Sequence, residues 1–165
     1  LLKFAILYRT NSQSRLYEEA LRRYALKYTV VGGISFYERA EVKDLLAYLK
    51  ASANLQDSIS MLRIINTPAR GIGATTVRKI EEMALEAEMP FWDMMQQVIA
   101  QQLLPARAVA ALRDFSELME DLHRRISSTD VPAMLAEITE RTKYIDSLEQ
   151  EGTPDRKSTR LNSSH

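Results

Sequence analysis

From residue 42 onward apolar residues return every three or four positions, and this regularity decides most of what the chain can become. Val42, Leu45, Leu46 and Leu49 stand at i, i+3, i+4 and i+7, the spacing that lays one apolar stripe along a helix. The stripe predicts a helix over about residues 38–52. Asp57 predicts the N-cap of a second helix carrying Ile59, Leu62 and Ile65, and the segment Pro68 to Gly73 breaks that pattern. A third helix is expected from about Thr75 to Ala87, burying Val77, Ile80 and Ala84. A fourth starts near Pro90 with Phe91, Met94, Met95 and Val98 inward. Pro105 opens a long one with Leu112, Phe115, Leu118, Met119 and Leu122, running to about Ile126. Asp130, with Pro132 behind it, starts a last helix bearing Met134, Leu135 and Ile138. Proline suits a first helical turn, where its missing N–H would have no partner anyway.

The pattern differs before Gly32-Gly33. Lys3 to Tyr8 is a continuous apolar run suited to a strand covered on both faces. A polar turn, Arg9 to Ser14, leads to Leu16, Ala20, Leu21 and Tyr24 on one helical face, with Glu18, Glu19, Arg22 and Arg23 largely opposite. Tyr28 to Val31 reads as a second strand. Residues 3–31 are therefore expected to form a βαβ unit too small to bury a core by itself, whereas the helices that follow can bury one. The expected fold class is mainly α: a truncated βαβ piece of an α/β domain, then an all-α domain.

The two ends carry their own expectations. The chain starts inside an apolar run, which suggests truncation at the N-terminus. Asp155 to His165 matches the translation of a short-read sequencing adapter at all eleven positions, so 155–165 is expected to be an adapter-derived artefact. That segment holds Arg156, Lys157 and Arg160 against Asp155, so the formal charge of 0 becomes −2 without it.

Composition excludes several chemistries. There is no Cys, and the two His, His123 and His165, are far apart, so thiolate nucleophiles, Cys- or His-based metal sites and a Ser/His triad are not expected. No apolar run approaches the roughly 18 residues of a membrane span. No GxxxxGK[ST] segment occurs, so no phosphate-binding P-loop lies within these 165 residues. Glu81, Glu82, Glu86 and Glu88 read as a solvated helix face, Met83, Met89, Met94 and Met95 as core filler, and Trp92 as packing.

Two segments carry chemistry. Tyr8-Arg9-Thr10-Asn11 lies where a strand gives way to a helix, the usual ligand edge of an α/β sheet. Arg9 and Asn11 offer donors to phosphate or base edges, and Tyr8 could stack on a base. An alternative assigns Tyr8 to the core, Asn11 to a cap and Arg9 to the surface. The second segment, Asn66 to Thr76, joins two expected helices through Gly71-Ile72-Gly73. The glycines permit close backbone approach, Ile72 would anchor the turn, and the next helix's first amides favour an anion. Arg70, Thr75, Thr76, Arg78 and Lys79 suit a DNA phosphate, in the manner of a helix-hairpin-helix element. The alternative is an ordinary glycine turn between packed helices.

These residues resemble a known family. Ala5-Ile6-Leu7-Tyr8-Arg9-Thr10-Asn11-Ser12-Gln13-Ser14-Arg15 is similar to motif IV of the UvrD/PcrA/Rep-type superfamily 1 DNA helicases. Val30 to Arg39 and Glu41 to Leu49 continue the likeness, and Leu62 to Gly73 is similar to the family's duplex-contacting Gly-Ile-Gly element. Ser12 stands where Ala is common, and Lys27 where Pro is common. The resemblance implies a fragment of an ATP-dependent 3′-to-5′ DNA helicase of repair or replication restart. Residues 1–32 would be a partial RecA-like domain (2A) and 33–154 a partial helical insertion (2B). Tyr8, Arg9, Asn11 and Arg15 would lie on the single-stranded DNA track. Thr67, Arg70, Gly71, Ile72, Gly73 and Thr75 would meet duplex DNA. ATP and Mg would belong to the full-length parent, with none bound by this fragment, which would carry no catalytic residue or metal ligand. The resemblance further implies a bacterial, cytoplasmic, nucleoid-associated protein that contacts DNA junctions and repair proteins but no membrane. Two alternatives are a helicase–nuclease subunit and a non-enzymatic helix-hairpin-helix DNA-binding module.

Overall fold

Apolar periodicity of 3.6 is realised almost throughout. The computed structural model describes residues 4–10, 13–31 and 36–150, and among these the chain is mainly helical. The order is α1 (Ser14–Arg23), a 3-10 turn (Phe36–Glu38), α2 (Ala40–Ala53), α3 (Ser58–Ile64), α4 (Ala74–Glu86), α5 (Phe91–Gln101), α6 (Ala106–Ile126) and α7 (Val131–Thr142). Residues 144–150 are again helical. The chain divides into two compact units, Leu1–Lys43 and Asp44–His165, with the division inside α2. Asn11, Ser12, residues 32–35 and the adapter-like 155–165 lie outside the described residues.

In the second unit most of the expected stripes join one core, but Ile59 (86% exposed) and Leu46 (42%) face outward, and α2 buries Asp44, Ala47, Tyr48 and Ala51 rather than the expected stripe. Tyr48, Met61, Ile64, Ile72, Ile80, Met95, Val98, Leu112, Met119, Leu122 and Ile138 are almost completely buried there. α5 packs against α3, α4 and α6 and buries Phe91, Trp92, Met94, Met95 and Val98 on one broad face. Met94, Met95 and Trp92 are core side chains, and Met83 and Met89 pack at its edge. Two arginines tie α7 to α6. Arg141 bonds Asp121 and also reaches Glu137 at 3.3 Å, and Arg125 bonds Glu137 at 2.6 Å. The Arg141 hydrogen bond, with Arg124 beside it, holds the Asp121 carboxyl below its ordinary value. His123 lies on the exposed face, its Nδ1 2.7 Å from the Ser52 carbonyl oxygen.

Asp57 caps α3 by accepting from the Ser60 amide at 3.1 Å and the Ser60 hydroxyl at 2.7 Å. The Ser60 hydroxyl, then its amide, hold the Asp57 carboxyl below its ordinary value. A depressed carboxylate pKa contributes stability that is fully present above the unfolded value and is lost as pH falls through the folded one. Asp57→Ala is therefore expected to cost about 0.5–2 kcal/mol at neutral pH. That difference should close on acidification below the carboxylate range, as read from urea midpoints across a pH series. A gap that persisted at low pH would argue against the cap.

The first unit departs from expectation in two ways. No strand forms among its described residues: 4–8 and 26–30 carry no regular secondary structure. A strand exists only through ladder bonds to a neighbour, and one isolated pair is marginal in water. Phe4 and Leu7 are accordingly exposed. The apolar stripe of α1 is also not the buried face. Leu16 is 68% and Tyr24 74% exposed, whereas Ser14 and Glu18 are buried. Glu18 accepts from the Tyr28 hydroxyl and the Phe36 amide, each at 3.1 Å, so α1 turns its polar side toward the 3-10 turn. A stripe is covered only where an apolar surface meets it, and the described residues of this unit supply no sheet to do so.

Candidate nucleic-acid interface

The loop between α3 and α4 is built from its own side chains. The Asn66 side-chain oxygen accepts from the amides of Arg70 (2.9 Å) and Ile72 (3.3 Å), closing the loop on itself. Ile72 is 1% exposed and pins the middle of the loop in the core. Gly71, by contrast, is exposed and left-handed, with φ +81°. Gly73 is the N-cap of α4 and has no side chain to bond the helix's first amides. The first turn of α4 holds no acidic residue, Thr75 is exposed, and Arg78 and Lys79 are exposed one turn on. Partial positive charge at the helix start and two cations thus share one end of α4, while Glu81, Glu82 and Glu86 are exposed further along. Such an end can hold an anion close to the backbone.

The two glycines separate conformation from space. No atom lies within 4 Å of a Cβ built at either position. Gly71→Ala should therefore cost about 1–2 kcal/mol, all of it from the left-handed backbone. Gly73→Ala, in an ordinary extended conformation, should cost less, roughly 0.5 kcal/mol, because alanine is a poorer N-cap than glycine. Thermal melts of the two variants check this, and equal losses would contradict the described backbone.

Arg70 does not point outward. Its guanidinium donates to the carbonyls of Ile64 (2.9 Å), Ile65 (3.1 Å) and Thr67 (3.3 Å) and to the Tyr48 hydroxyl (2.5 Å). It also lies over the Phe115 ring, 4.9 Å from the centroid. Tyr48 is fully buried and donates to the Thr67 carbonyl at 2.7 Å. Burial pushes its phenol up, against the lowering effect of Arg70. Thr67 itself is half-buried.

In the first unit, Tyr8 is half-buried and stacks on Tyr17 with ring centroids 6.2 Å apart. Arg9 is exposed, and its amide and that of Thr10 donate to the Gln13 side-chain oxygen at 3.0 and 3.3 Å. Arg15 is exposed but paired with Glu19 at 2.9 Å and set over Phe36. Asn11 lies outside the described residues. Sequence reading did not single out Tyr48, Asn66 or Phe115 as parts of the site. The one available signal was Tyr48 at an inward position of α2, where a buried hydroxyl needs a partner. Among the described residues no group of three or more His, Cys, Asp or Glu is placed to hold a metal ion.

This is a mainly helical chain that presents a glycine loop at an uncapped, basic helix start. The chain belongs to the UvrD-like helicase C-terminal domain family, whose family model matches residues 1–103. It is 42% identical to the ATP-dependent DNA helicase PcrA of Bacillus subtilis over 149 residues, 89% of this chain. It is 38% identical over 151 residues, 90% of this chain, to the PcrA helicases of Staphylococcus epidermidis and Staphylococcus aureus. The chain spans 20% of the length of each of these relatives.

Proposed function

We propose that this chain is part of an ATP-dependent DNA helicase of bacterial DNA repair or replication restart, moving 3′ to 5′. Residues 1–32 are read as part of its second RecA-like domain, where the βαβ segment would join a larger sheet. Residues 33–154 are read as part of the helical insertion, with α3, the loop and α4 as a helix-hairpin-helix-like element. Support comes from family membership and from the PcrA relatives, which are ATP-dependent DNA helicases by name.

The observation that carries a DNA role is the α3–α4 loop, with exposed Gly71 and Gly73, an uncapped helix start, and Arg78 and Lys79 a turn on. Amides of a preformed loop meet phosphates whatever the base sequence, so Gly71, Ile72, Gly73 and Thr75 would contact duplex backbone, with Thr67 and Arg70 beside them. Arg9 and Asn11, supported by Tyr8 and Arg15, would serve single-stranded DNA. The sequence has no P-loop, which supports placing the ATP–Mg site elsewhere in the parent. ATP and Mg are assigned to the rest of the parent, in the bacterial cytoplasm, near the nucleoid. No described helix is long and apolar enough to cross a membrane.

Fluorescence anisotropy of a labelled 20-base-pair duplex tests the DNA role. The expected dissociation constant is on the order of 10⁻⁴–10⁻⁶ M, independent of sequence, with a log–log salt slope near −0.9 per phosphate neutralised. Replacing Arg78 and Lys79 by Gln should flatten that slope. A slope unchanged in that variant, or no salt-dependent binding at all, would overturn the assignment. The chain alone should turn over no ATP, and measurable turnover would refute the placement of the ATP site elsewhere.

A further inference from the structure

The geometry points to Arg70 as a positioning residue that acts on duplex DNA from inside the hairpin, through its backbone, rather than as a phosphate contact. The inference rests on the reading of the α3–α4 loop as a duplex-binding element. It departs from the simplest use of an arginine beside such a loop.

Three of the four bonds made by the Arg70 guanidinium go to carbonyls of Ile64, Ile65 and Thr67, at the end of α3 and just past it. Helix ends leave carbonyls without partners and gather partial negative charge, so a cation is favoured there. The fourth bond goes to the Tyr48 hydroxyl, which itself holds the Thr67 carbonyl. Phe115 of α6 lies under the guanidinium plane. Side chains of α2 and α6 and the end of α3 thus grip one side chain, whose own amide is bound by Asn66. A phosphate could take this guanidinium only by stripping it from the carbonyls. Left in place, it fixes where the chain enters the loop, as Ile72 fixes the middle. Amides held in position beforehand bind with less ordering cost than mobile ones.

The grip needs a planar fork, which arginine has and lysine lacks. The whole chain and its Arg70→Lys, Arg70→Gln and Tyr48→Phe variants would be titrated with the labelled duplex over a salt series, at a temperature where circular dichroism shows full helix content. Arg70→Lys keeps the charge, yet affinity should fall about tenfold, about 1.4 kcal/mol, with the parent's salt slope. Tyr48→Phe, which removes no charge, should also weaken binding several-fold. The double variant Y48F/R70K should bind no worse than R70K within about twofold, since both break one device. A direct phosphate contact gives the opposite pattern: R70K near the parent, Y48F unchanged, and R70Q flattening the slope by about 0.9. That pattern would overturn the inference. If the parent chain showed no salt-dependent binding, the duplex reading itself would fall. Amide exchange at Ile72, faster by about tenfold in R70K and Y48F, would then still sustain the clamp, and unchanged exchange would reject it.

Discussion

Replacing Phe115 by Ala is expected to destabilise the second unit by about 3–5 kcal/mol. Phe115 is 1% exposed at the middle of α6, with Leu112, Met119 and Leu122 buried along the same helix. Truncation removes the transfer energy of the ring and leaves a cavity that rigid helices only partly close. It also strips the Arg70 guanidinium of the ring beneath it, a contact worth roughly 0.5–2 kcal/mol depending on desolvation. Domains are stable by only about 5–15 kcal/mol, so this loss is a large share of the total. Trp92, the single tryptophan, is buried in the same unit and reports unfolding by its fluorescence. The urea midpoint should drop while the slope stays that of the parent. Phe115→Leu, closer in volume, should cost under about 1.5 kcal/mol. A loss below about 1 kcal/mol for the alanine variant would contradict the packing described.

The second large effect is expected at Asp44, a carboxylate only 8% exposed. Arg63 of α3 donates to one oxygen at 2.8 Å, and the buried Tyr144 hydroxyl donates to the other at 2.6 Å. One residue of α2 thereby ties down α3 and the segment after α7. Breaking a buried charged pair costs about 3–5 kcal/mol, because the abandoned partners stay desolvated. The Arg63 side chain is 39% exposed, so water can take over part of its solvation, and Asp44→Ala should cost about 2–4 kcal/mol. Tyr144→Phe should cost less, about 1–2 kcal/mol. The double variant should fall short of the sum, because the two residues share one bond. Additive losses would mean that the bond carries no coupling.

Much of the helical unit was legible because its signals are local. The stripe Val42, Leu45, Leu46 and Leu49 placed α2, Asp57 and Asp130 proved to be caps, and Pro90 and Pro105 stand at the N-caps of α5 and α6. Helix ends were less legible. Ala25, Glu88, Gln102 and Lys143 all take positive φ near chain reversals where glycine would be the ordinary choice. All four are exposed and end helices in a left-handed turn closed by local backbone bonds, such as Leu26 N–H to Leu21 O and Met89 N–H to Ala84 O, at a cost of roughly 1–2 kcal/mol per residue.

By itself the sequence determined a mainly α chain, the approximate spans of its helices, the loop with Gly71 and Gly73, and the family to which the chain belongs. Periodicity, caps and motif order are properties of neighbours along the chain, so they can be read there. Only the tertiary structure decided that Arg70 faces inward, that Asp44 is a buried anchor, and that α1 buries Glu18 rather than Leu16. Arg70 and Tyr48 lie twenty-two residues apart, and Asp44 and Tyr144 a hundred. Which donor meets which acceptor over such separations depends on how the helices pack and on how costly an unpaired buried polar group is, and neither is written in any local pattern.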